Sequence, residues 1–238
     1  MIRLTCKAVL FDLDGVLADS TAIVDRVWRE WALEQELDAD SVMSVAHGRP
    51  AAEVIAAFAP QLPVETEVRE LERREADASG VVPIPGAMRL VASLPEESWA
   101  VVTSGTSPLA ASRLHAIGAP GPPVLITAND VRAGKPNPEG YIYAARRLGV
   151  APKECLVIED SPAGVEAARA GGMPVIGVTT TFPAESLAGV IAHVPSLEAV
   201  TLERVSEDGD GLPTLSLLVT TGDPPTSGVG GSSSTEGD

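Results

Sequence analysis

The sequence predicts an α/β protein with a Rossmann-like, doubly wound parallel sheet and an inserted all-helical cap domain. Short apolar runs alternate with helical segments along the chain, which is typical of a parallel sheet. Several of these runs end in charged or small polar residues, at the position where open α/β sheets bind their ligands. After the first run, residues 17–84 show only helical patterns, and this insert is longer than an ordinary βα loop.

The first apolar run, residues 8–11, predicts a buried strand and leads into Asp12, Leu13, Asp14 and Gly15. If the extended backbone continues to Asp14, the two aspartates project to the same side. Gly15 lets the chain leave the strand in a conformation that would strain other residues. For this motif alone, a strand followed by an Asx turn is the simpler interpretation. A calcium loop fits worse, because its glycine belongs at the sixth position and here it is the fourth.

The insert at residues 17–84 is predicted to fold as four helices. They cover residues 21–36, a short segment after Ser41, residues 50–58 and residues 64–79. In the first helix, Val24, Val27, Trp28 and Trp31 have the spacing of one buried helical face. The two tryptophans are therefore predicted to belong to the core of the cap and not to a ligand platform.

The rest of the α/β core is predicted from further strands and the helices between them. The strands are 99–102, 124–127, 155–158, 174–178 and a short one near 191–194, and the helices are 87–94, one from 107, 139–148 and one ending at 170. These elements assign the core to residues 1–16 and 85–205. No Gly-x-Gly-x-x-Gly follows the first strand, which argues against a dinucleotide-binding fold.

The last segment, residues 206–238, contains six acidic residues and no lysine or arginine. It is rich in glycine, serine, threonine and proline, and only the apolar stretch 215–219 interrupts this composition. Such a composition predicts a mostly disordered tail.

The composition of the whole chain limits its partners and its compartment. The net charge of −16 at pH 7 argues against nucleic acid and anionic membranes as partners. No apolar run approaches the length of a membrane span, and we expect no signal peptide before the first strand. The two cysteines, Cys6 and Cys155, give neither a disulfide framework nor the spacing of a metal cluster. We therefore expect a cytoplasmic protein that is a monomer or a weak homo-oligomer.

Four strand ends carry the residues with candidate chemistry, and the carboxyl ends of parallel strands lie along one edge of a sheet. The residues brought together there are Asp12 and Asp14, Ser104 with Gly105, Lys135, and Glu159 with Asp160. Four acids beside one lysine would repel one another unless a cation lay among them. Oxygen ligands alone suit Mg²⁺, so this edge is a predicted magnesium site.

The same set of residues fits phosphoryl transfer. An ionised Asp12 beside Mg²⁺ can attack phosphorus and form an aspartyl-phosphate. Ser104, Gly105 and Lys135 can hold the transferring oxygens, and Asp14 can protonate the leaving group. Lys135 is not a P-loop lysine, because no Gly-x-x-x-x-Gly-Lys-Ser/Thr frame surrounds it.

On these residues the chain resembles the haloacid dehalogenase superfamily, in the branch with a helical cap inserted after the first motif. The four motifs are Asp12-Leu13-Asp14-Gly15-Val16, Thr103-Ser104-Gly105, Lys135-Pro136 and Glu159-Asp160-Ser161. The resemblance covers about residues 6–200. Further segments, such as 84–87 and 126–131, are similar to glycerol-3-phosphate and 2-deoxyglucose-6-phosphate phosphatases.

The resemblance implies a role for each motif. It implies that Asp12 is the nucleophile and Asp14 the acid and base. It also implies that Mg²⁺ is held by Asp12, the Asp14 carbonyl and Asp160, with Glu159 near a metal-bound water. The second and third motifs would bind the phosphoryl group. Glu159 and Asp160 are adjacent in this chain, whereas some members of the superfamily space these two acids apart.

These features predict a Mg²⁺-dependent phosphatase that hydrolyses a small phosphorylated sugar or polyol. Asp14 favours phosphoryl transfer over dehalogenation, which needs no acid two residues after the nucleophile. A phosphonatase would need a cap lysine, and no lysine lies between Lys7 and Lys135. A β-phosphoglucomutase-like mutase shares the core motifs and is an alternative. A non-catalytic binding protein is a second alternative, although such a protein would normally have lost some of these acids.

Selectivity for the leaving group is expected to come from the cap, because the core motifs bind only the phosphoryl group and the metal. The loop between the second and third cap helices contains His47 and Arg49, which are candidates for contact with a sugar or polyol. We expect Arg49 to be the stronger of the two. His115 and His193 are expected to be surface or core residues and not ligands.

Overall fold

The structure, a computed structural model, describes residues 1–46, 49–207 and 212–221. Its strands in that part of the chain are β1 (Ile2–Cys6), β2 (Ala8–Phe11), β3 (Ala18–Asp19), β4 (Val82–Pro83), β5 (Trp99–Val102), β6 (Leu125–Ile126), β7 (Cys155–Glu159), β8 (Val175–Val178), β9 (Ala192–Val194), β10 (Val200–Glu207) and β11 (Pro213–Val219). Its α-helices are α1 (Thr21–Glu34), α2 (Ala39–Ala46), α3 (Ala51–Phe58), α4 (Val64–Asp77), α5 (Ala87–Ser93), α6 (Ser107–Ala116), α7 (Glu139–Arg147) and α8 (Pro162–Ala170). None of these helices is both long enough and apolar enough to cross a membrane.

Six of the described strands form a parallel sheet in the order β6-β5-β2-β7-β8-β9. At its centre, Phe11 of β2 is aligned with Val101 of β5 and with Ile158 of β7. All residues of β2 are buried, because helices α5 and α6 contribute to the apolar cluster on one face of the sheet and α7 and α8 to the cluster on the other. The doubly wound parallel fold predicted from the sequence is confirmed.

Helices α1 to α4 form the cap, which is inserted between β3 and β4. These two short strands pair antiparallel, with Ala18 opposite Pro83, so the chain enters and leaves the cap side by side. Trp28 and Trp31 of α1 are buried in an apolar cluster of cap residues. Their ring centroids are 5.5 Å apart in an edge-on arrangement. The prediction that the two tryptophans belong to the core of the cap is confirmed.

The prediction of a mostly disordered tail at residues 206–238 is wrong for the segment that forms β11. β11 lies between β1 and β10 in an antiparallel sheet of three described strands. Leu215, Leu217 and Val219 are fully buried, because alternating apolar residues give the strand one buried face. Its partner β1 comes from the other end of the chain. At residues 208–211 and from residue 222 onward, the prediction lies outside the described residues.

Leu217→Ala tests whether β11 contributes to stability. The side chain is fully buried, so its truncation is expected to lower the free energy of unfolding by about 2–5 kcal/mol. The melting temperature should fall by roughly 5–15 °C, as measured by differential scanning calorimetry. Leu218→Ala is the matched control, because Leu218 is half-buried and lies on the opposite face of the strand. If the two variants lose equally little stability, the face of β11 that carries Leu217 does not contribute to the core.

Candidate active site

Three carboxylates meet at the carboxyl edge of the central sheet. Asp12 follows β2 directly, and Glu159 and Asp160 stand at the end of the neighbouring strand β7. The pairing of the two strands continues past β2, because the Asp12 amide donates to the carbonyl oxygen of Ile158 at 3.0 Å. One oxygen of each carboxylate lies within 4.8 Å of the other two. The register of the sheet therefore brings these three predicted residues together.

Lys135 places a positive charge among these acids. It lies in the loop before α7, and its Nζ donates to Asp12 Oδ1 at 2.7 Å and to Glu159 Oε1 at 2.6 Å. The Tyr141 ring on α7 lies 5.3 Å from Nζ, and the Tyr141 hydroxyl donates to the same Glu159 oxygen. Burial lowers the pKa of Lys135, but the two carboxylates outweigh burial and hold that pKa above its usual value. The side chain is therefore a charged ammonium group.

Glu159 is fully buried, and both of its oxygens accept hydrogen bonds from the chain. Oε1 accepts from Lys135 and Tyr141, and Oε2 accepts from the amides of Asp160 and Ser161 and from the Ser161 hydroxyl. These five hydrogen bonds satisfy the buried carboxylate within the protein. Glu159 thereby fixes the positions of Lys135 and of the backbone that leads into α8.

The environment of Asp160 differs from that of Glu159, because one of its carboxylate oxygens accepts no hydrogen bond from the described residues. Asp160 is 3% exposed, and its Oδ1 has no hydrogen-bond partner among the described residues. Burial is the main cause that raises the pKa of Asp160 well above its usual value, and the Glu159 and Asp12 carboxylates raise it further. Burial likewise raises the pKa of Asp12 to about 7, although Lys135 opposes that rise. A divalent cation would complete a site in which an unpartnered carboxylate oxygen lies beside two further carboxylates.

Two glycines leave space for these carboxylates. Gly15 has a φ of +80°, in the left-handed region, and a Cβ at this position would overlap the Asp160 carboxylate. Gly164 lies in the first turn of α8, and a Cβ there would overlap both carboxylate oxygens of Glu159. The absence of a side chain at both positions is therefore a steric requirement of the site.

Asp14 is held by two donors. Its Oδ1 accepts hydrogen bonds from the Ser20 hydroxyl and from Nε of Arg113, the latter at 3.1 Å. Ser20 is the residue before α1, and its side chain makes no capping hydrogen bond with that helix. The Asp14 side chain is 35% exposed and lines the cavity between core and cap. Asp14 is thus oriented by the protein while it faces the space that a substrate would enter.

Arg113 is a site residue that sequence reasoning missed. It lies buried on α6, and its guanidinium also donates to the carbonyl oxygen and the carboxylate of Glu75 on α4, in the cap. Burial raises the pKa of Glu75 to about 7, although Arg113 opposes that rise. A sequence signal was present, because Arg113 interrupts the buried apolar face that Leu109, Ala110 and Leu114 form on α6.

The loop after β5 supplies small polar groups to the site. Ser104 Oγ is buried and has no hydrogen-bond partner within the part of the chain that the structure describes. The Gly105 amide, a predicted phosphate donor, donates to the Thr103 hydroxyl at 3.1 Å. Helix α6 begins at Ser107, so the positive end of its dipole follows this loop closely. The unpartnered hydroxyl and the helix terminus together favour an anion at this position.

A cavity of about 120 Å³ lies between the core and the cap. Its lining includes Asp12, Asp14, Ser104, Gly105, Lys135 and Asp160 from the core and Trp28, Arg49, Glu72 and Glu75 from the cap. Arg49, the predicted cap residue, therefore lies on the cavity. His47, the other predicted cap residue, lies outside the described residues.

Comparison with known proteins gives a family and close relatives. The family model for haloacid dehalogenase-like hydrolases matches residues 6–172. Hexitol phosphatase A of Escherichia coli is 38% identical over 205 residues, which cover 84% of this chain and 95% of that relative. Glycerol-1-phosphate phosphohydrolase 2 of Saccharomyces cerevisiae is 37% identical over 199 residues, covering 78% of this chain and 80% of the relative. Among solved structures, CbbY from Rhodobacter sphaeroides in complex with phosphate has a TM-score of 0.71 at 25% identity, covering 81% of this chain and 95% of that chain.

Gly164→Ala tests the steric requirement at Glu159. The added methyl group is expected to displace the Glu159 carboxylate and to disturb both Lys135 and the candidate cation site. We expect a lower melting temperature than in the wild type and a smaller rise in melting temperature when Mg²⁺ is added. For scale, a cation at 100 times its dissociation constant stabilises a protein by about 2.7 kcal/mol.

The matched control for this variant is Gly121→Ala, because nothing lies within 4 Å of a methyl group added at that position. Thermal unfolding is measured for both variants with and without Mg²⁺. If Gly164→Ala unfolds and responds to Mg²⁺ as Gly121→Ala does, Glu159 tolerates the extra methyl group and the steric requirement is absent.

Proposed function

The chain belongs to the haloacid dehalogenase-like hydrolases, and on that premise we propose that it is a Mg²⁺-dependent phosphatase of small sugar or polyol monophosphates that acts through an aspartyl-phosphate on Asp12. The observation that carries the proposal is the composition of the cavity wall. There, Asp12 stands beside the Lys135 ammonium, and nearby are an oxygen of Asp160 and the hydroxyl of Ser104 that have no hydrogen-bond partner among the described residues. The cavity wall therefore combines a nucleophile, Asp12, with two groups that can bind a phosphoryl anion, Lys135 and Ser104. It also contains the carboxylate oxygens of an incomplete cation site.

Mg²⁺ is proposed to bind to Asp12, Asp160 and the backbone carbonyl oxygen of Asp14, with Glu159 next to the site. The residues fit this ion, because their donors are oxygens and Asp160 Oδ1 has no other partner among the described residues. When bound, Mg²⁺ supplies positive charge that offsets the charge of the carboxylates and of the phosphoryl oxygens.

In the first step, a carboxylate oxygen of Asp12 attacks phosphorus, and the bond between phosphorus and the leaving oxygen breaks. The Asp14 carboxyl group donates its proton to that oxygen, so the sugar or polyol leaves as a neutral alcohol. The Lys135 ammonium and the Ser104 hydroxyl hold the phosphoryl oxygens that do not react. Lys135 also orients the nucleophile, because its Nζ lies 2.7 Å from Asp12 Oδ1.

In the second step, water attacks the phosphorus of the aspartyl-phosphate. The Asp14 carboxylate, which gave up its proton in the first step, accepts a proton from that water. The bond between phosphorus and the Asp12 oxygen breaks, inorganic phosphate is released, and both aspartates return to their starting states. The net reaction converts a phosphate monoester and water into an alcohol and phosphate.

A small, hydroxyl-rich leaving group fits the cavity best. The cavity volume of about 120 Å³ lies below the roughly 300–1,000 Å³ of pockets for drug-sized ligands, which favours a small leaving group. Arg49 gives the cap side a polar group that can pair with hydroxyls. Two relatives are named as a hexitol phosphatase and a glycerol-1-phosphate phosphohydrolase, which supports the same class. We therefore propose hexitol, glycerol and related hexose monophosphates as substrates.

A phosphate-release screen tests this function. The purified protein is assayed against hexitol, glycerol and hexose monophosphates, a nucleoside monophosphate and a phosphopeptide, with Mg²⁺ and with excess chelator. We expect release from the small polyol and sugar phosphates, and only with Mg²⁺. Conversion of glucose 1-phosphate into glucose 6-phosphate without net phosphate release would instead identify a mutase. A protein that turns over no monoester at all would be a binding protein.

Asp12→Asn is expected to abolish phosphate release in the same assay, because an amide cannot form the acyl-phosphate and the uncatalysed reaction is very slow. Asp14→Asn should slow turnover by about 10²–10⁴-fold, the typical contribution of general acid–base catalysis. Asp77→Asn is the matched control and should keep full activity, since Asp77 is exposed on α4. Full activity in folded Asp12→Asn protein would refute Asp12 as the nucleophile.

A further inference from the structure

Arg113 joins the cap to the core at the side chain of Asp14. Its side chain is 1% exposed, and its guanidinium contacts both domains. In the core, Nε donates to Asp14 Oδ1 at 3.1 Å. In the cap, Nη1 donates to the Glu75 carbonyl oxygen at 3.1 Å and Nη2 donates to Glu75 Oε2 at 2.8 Å. Because Arg113 belongs to α6 of the core, its guanidinium links Glu75 on cap helix α4 to Asp14.

The three contacts of the guanidinium are linked, because the group is planar and presents its donors in a rigid fork. When Glu75 fixes Nη1 and Nη2, the direction of Nε is fixed as well. Ser20 donates to the same oxygen of Asp14 as Arg113 does. Both hydrogen bonds therefore end on Oδ1, which leaves Oδ2 for proton transfer with a substrate.

A second contact holds helices α4 and α6 together. Glu72 lies one turn before Glu75 on α4, and its carboxylate accepts hydrogen bonds from the amide and the hydroxyl of Thr106, the residue before α6. Helix α4 thus contacts α6 at its start and again at Arg113. Both contacts require α4 to lie against α6, as it does in this structure.

We propose that Arg113 is a positioning residue that couples closure of the cap to the orientation of Asp14, with Glu75 as the contact on the cap. The coupling rests on the proposed function, which gives Asp14 its role as acid and base. With the cap closed, Glu75 holds the guanidinium and the guanidinium holds Oδ1 of Asp14. With α4 withdrawn, Arg113 loses both contacts to Glu75 and no longer fixes Asp14, whose orientation then depends on the hydrogen bond from Ser20. Proton transfer is thereby confined to the closed state, from which bulk water is excluded.

Loss of a buried charge partner destabilises a protein wherever that partner lies, so a loss of stability alone does not show a positioning role. Two substitutions separate a positioning role from a purely structural one. Arg113→Lys keeps the positive charge but lacks the planar fork that reaches Asp14 and Glu75 together. Glu75→Gln removes the charge on the cap and keeps the backbone carbonyl contact. The melting temperature of each variant shows whether it is folded.

Two further substitutions serve as matched controls. Glu70→Gln changes a glutamate on the same helix α4, but the partners of Glu70 are Arg73 and Arg74, within the cap. Arg89→Met removes a core arginine from α5, whose guanidinium donates to the carbonyl oxygen of Glu198. Neither control touches Asp14 or the contact between α4 and α6, so both should leave turnover unchanged.

A pair of substrates gives a readout that a structural role would not change. With p-nitrophenyl phosphate, the leaving p-nitrophenolate departs without a proton, so the first step does not need Asp14 as an acid. The second step needs Asp14 as a base with every substrate. Variants that misplace Asp14 should therefore accumulate the aspartyl-phosphate and show a burst of p-nitrophenolate comparable to the enzyme concentration, followed by slow turnover.

With a polyol phosphate at saturating Mg²⁺, Glu75→Gln is expected to lower kcat about tenfold, within the usual range of coupling between sites, and to leave KM nearly unchanged. Arg113→Lys is expected to lower kcat about 10²-fold, the effect of a small misplacement of a reacting group. The double variant should be no slower than Arg113→Lys, because Glu75 acts through Arg113.

Folded Glu75→Gln protein with the kcat of Glu70→Gln would overturn the coupling. So would full kcat in Arg113→Lys, or a fall in kcat for the polyol phosphate without the p-nitrophenolate burst. Failure of the proposed function gives a different result, because the wild-type protein would then release no phosphate from any monoester. The two failures are therefore distinguishable in one set of assays.

Discussion

The active site depends on the burial of three carboxylates, Asp12, Glu159 and Asp160, around one lysine. Negative charges this close are unfavourable in a protein interior unless each has a compensating partner. Glu159 accepts hydrogen bonds from the chain at both oxygens and Asp12 contacts Lys135, whereas Asp160 Oδ1 has no partner among the described residues. The same constraint accounts for the two glycines that leave room for the carboxylates and for the cation that we propose to complete the site.

The parallel fold and the meeting of the acids could be predicted from the sequence, because the information for both is local. Apolar runs of strand length lead into Asp12, Ser104 and Glu159, and parallel strands end at one edge of a sheet. Lys135 could be assigned to the same edge, because it is a positive charge in a loop that is rich in glycine and proline. The aromatic spacing in the first cap helix likewise predicted a helical core within the cap.

Two pairings could not be predicted, because they join distant parts of the chain. β11 lies in a polar, acidic segment, and its partner β1 comes from the opposite end of the sequence. Arg113 lies 99 residues from Asp14 and 38 residues from Glu75. No local pattern specifies such pairs, and the assembled tertiary structure brings them together. The cap approaches Asp14 through Arg113, so part of the site is defined only when both domains are in place.

Isothermal titration calorimetry with Mg²⁺ tests most directly whether the buried carboxylates form a cation site. The wild-type protein is expected to bind a single Mg²⁺ in the absence of substrate. Asp160→Asn should weaken this binding by more than about 100-fold, since loss of an outer partner alone costs about 10–100-fold. The exposed variant Asp77→Asn should bind as the wild type does. Equal affinity in Asp160→Asn and the wild type, or no Mg²⁺ binding by either, would contradict the assignment.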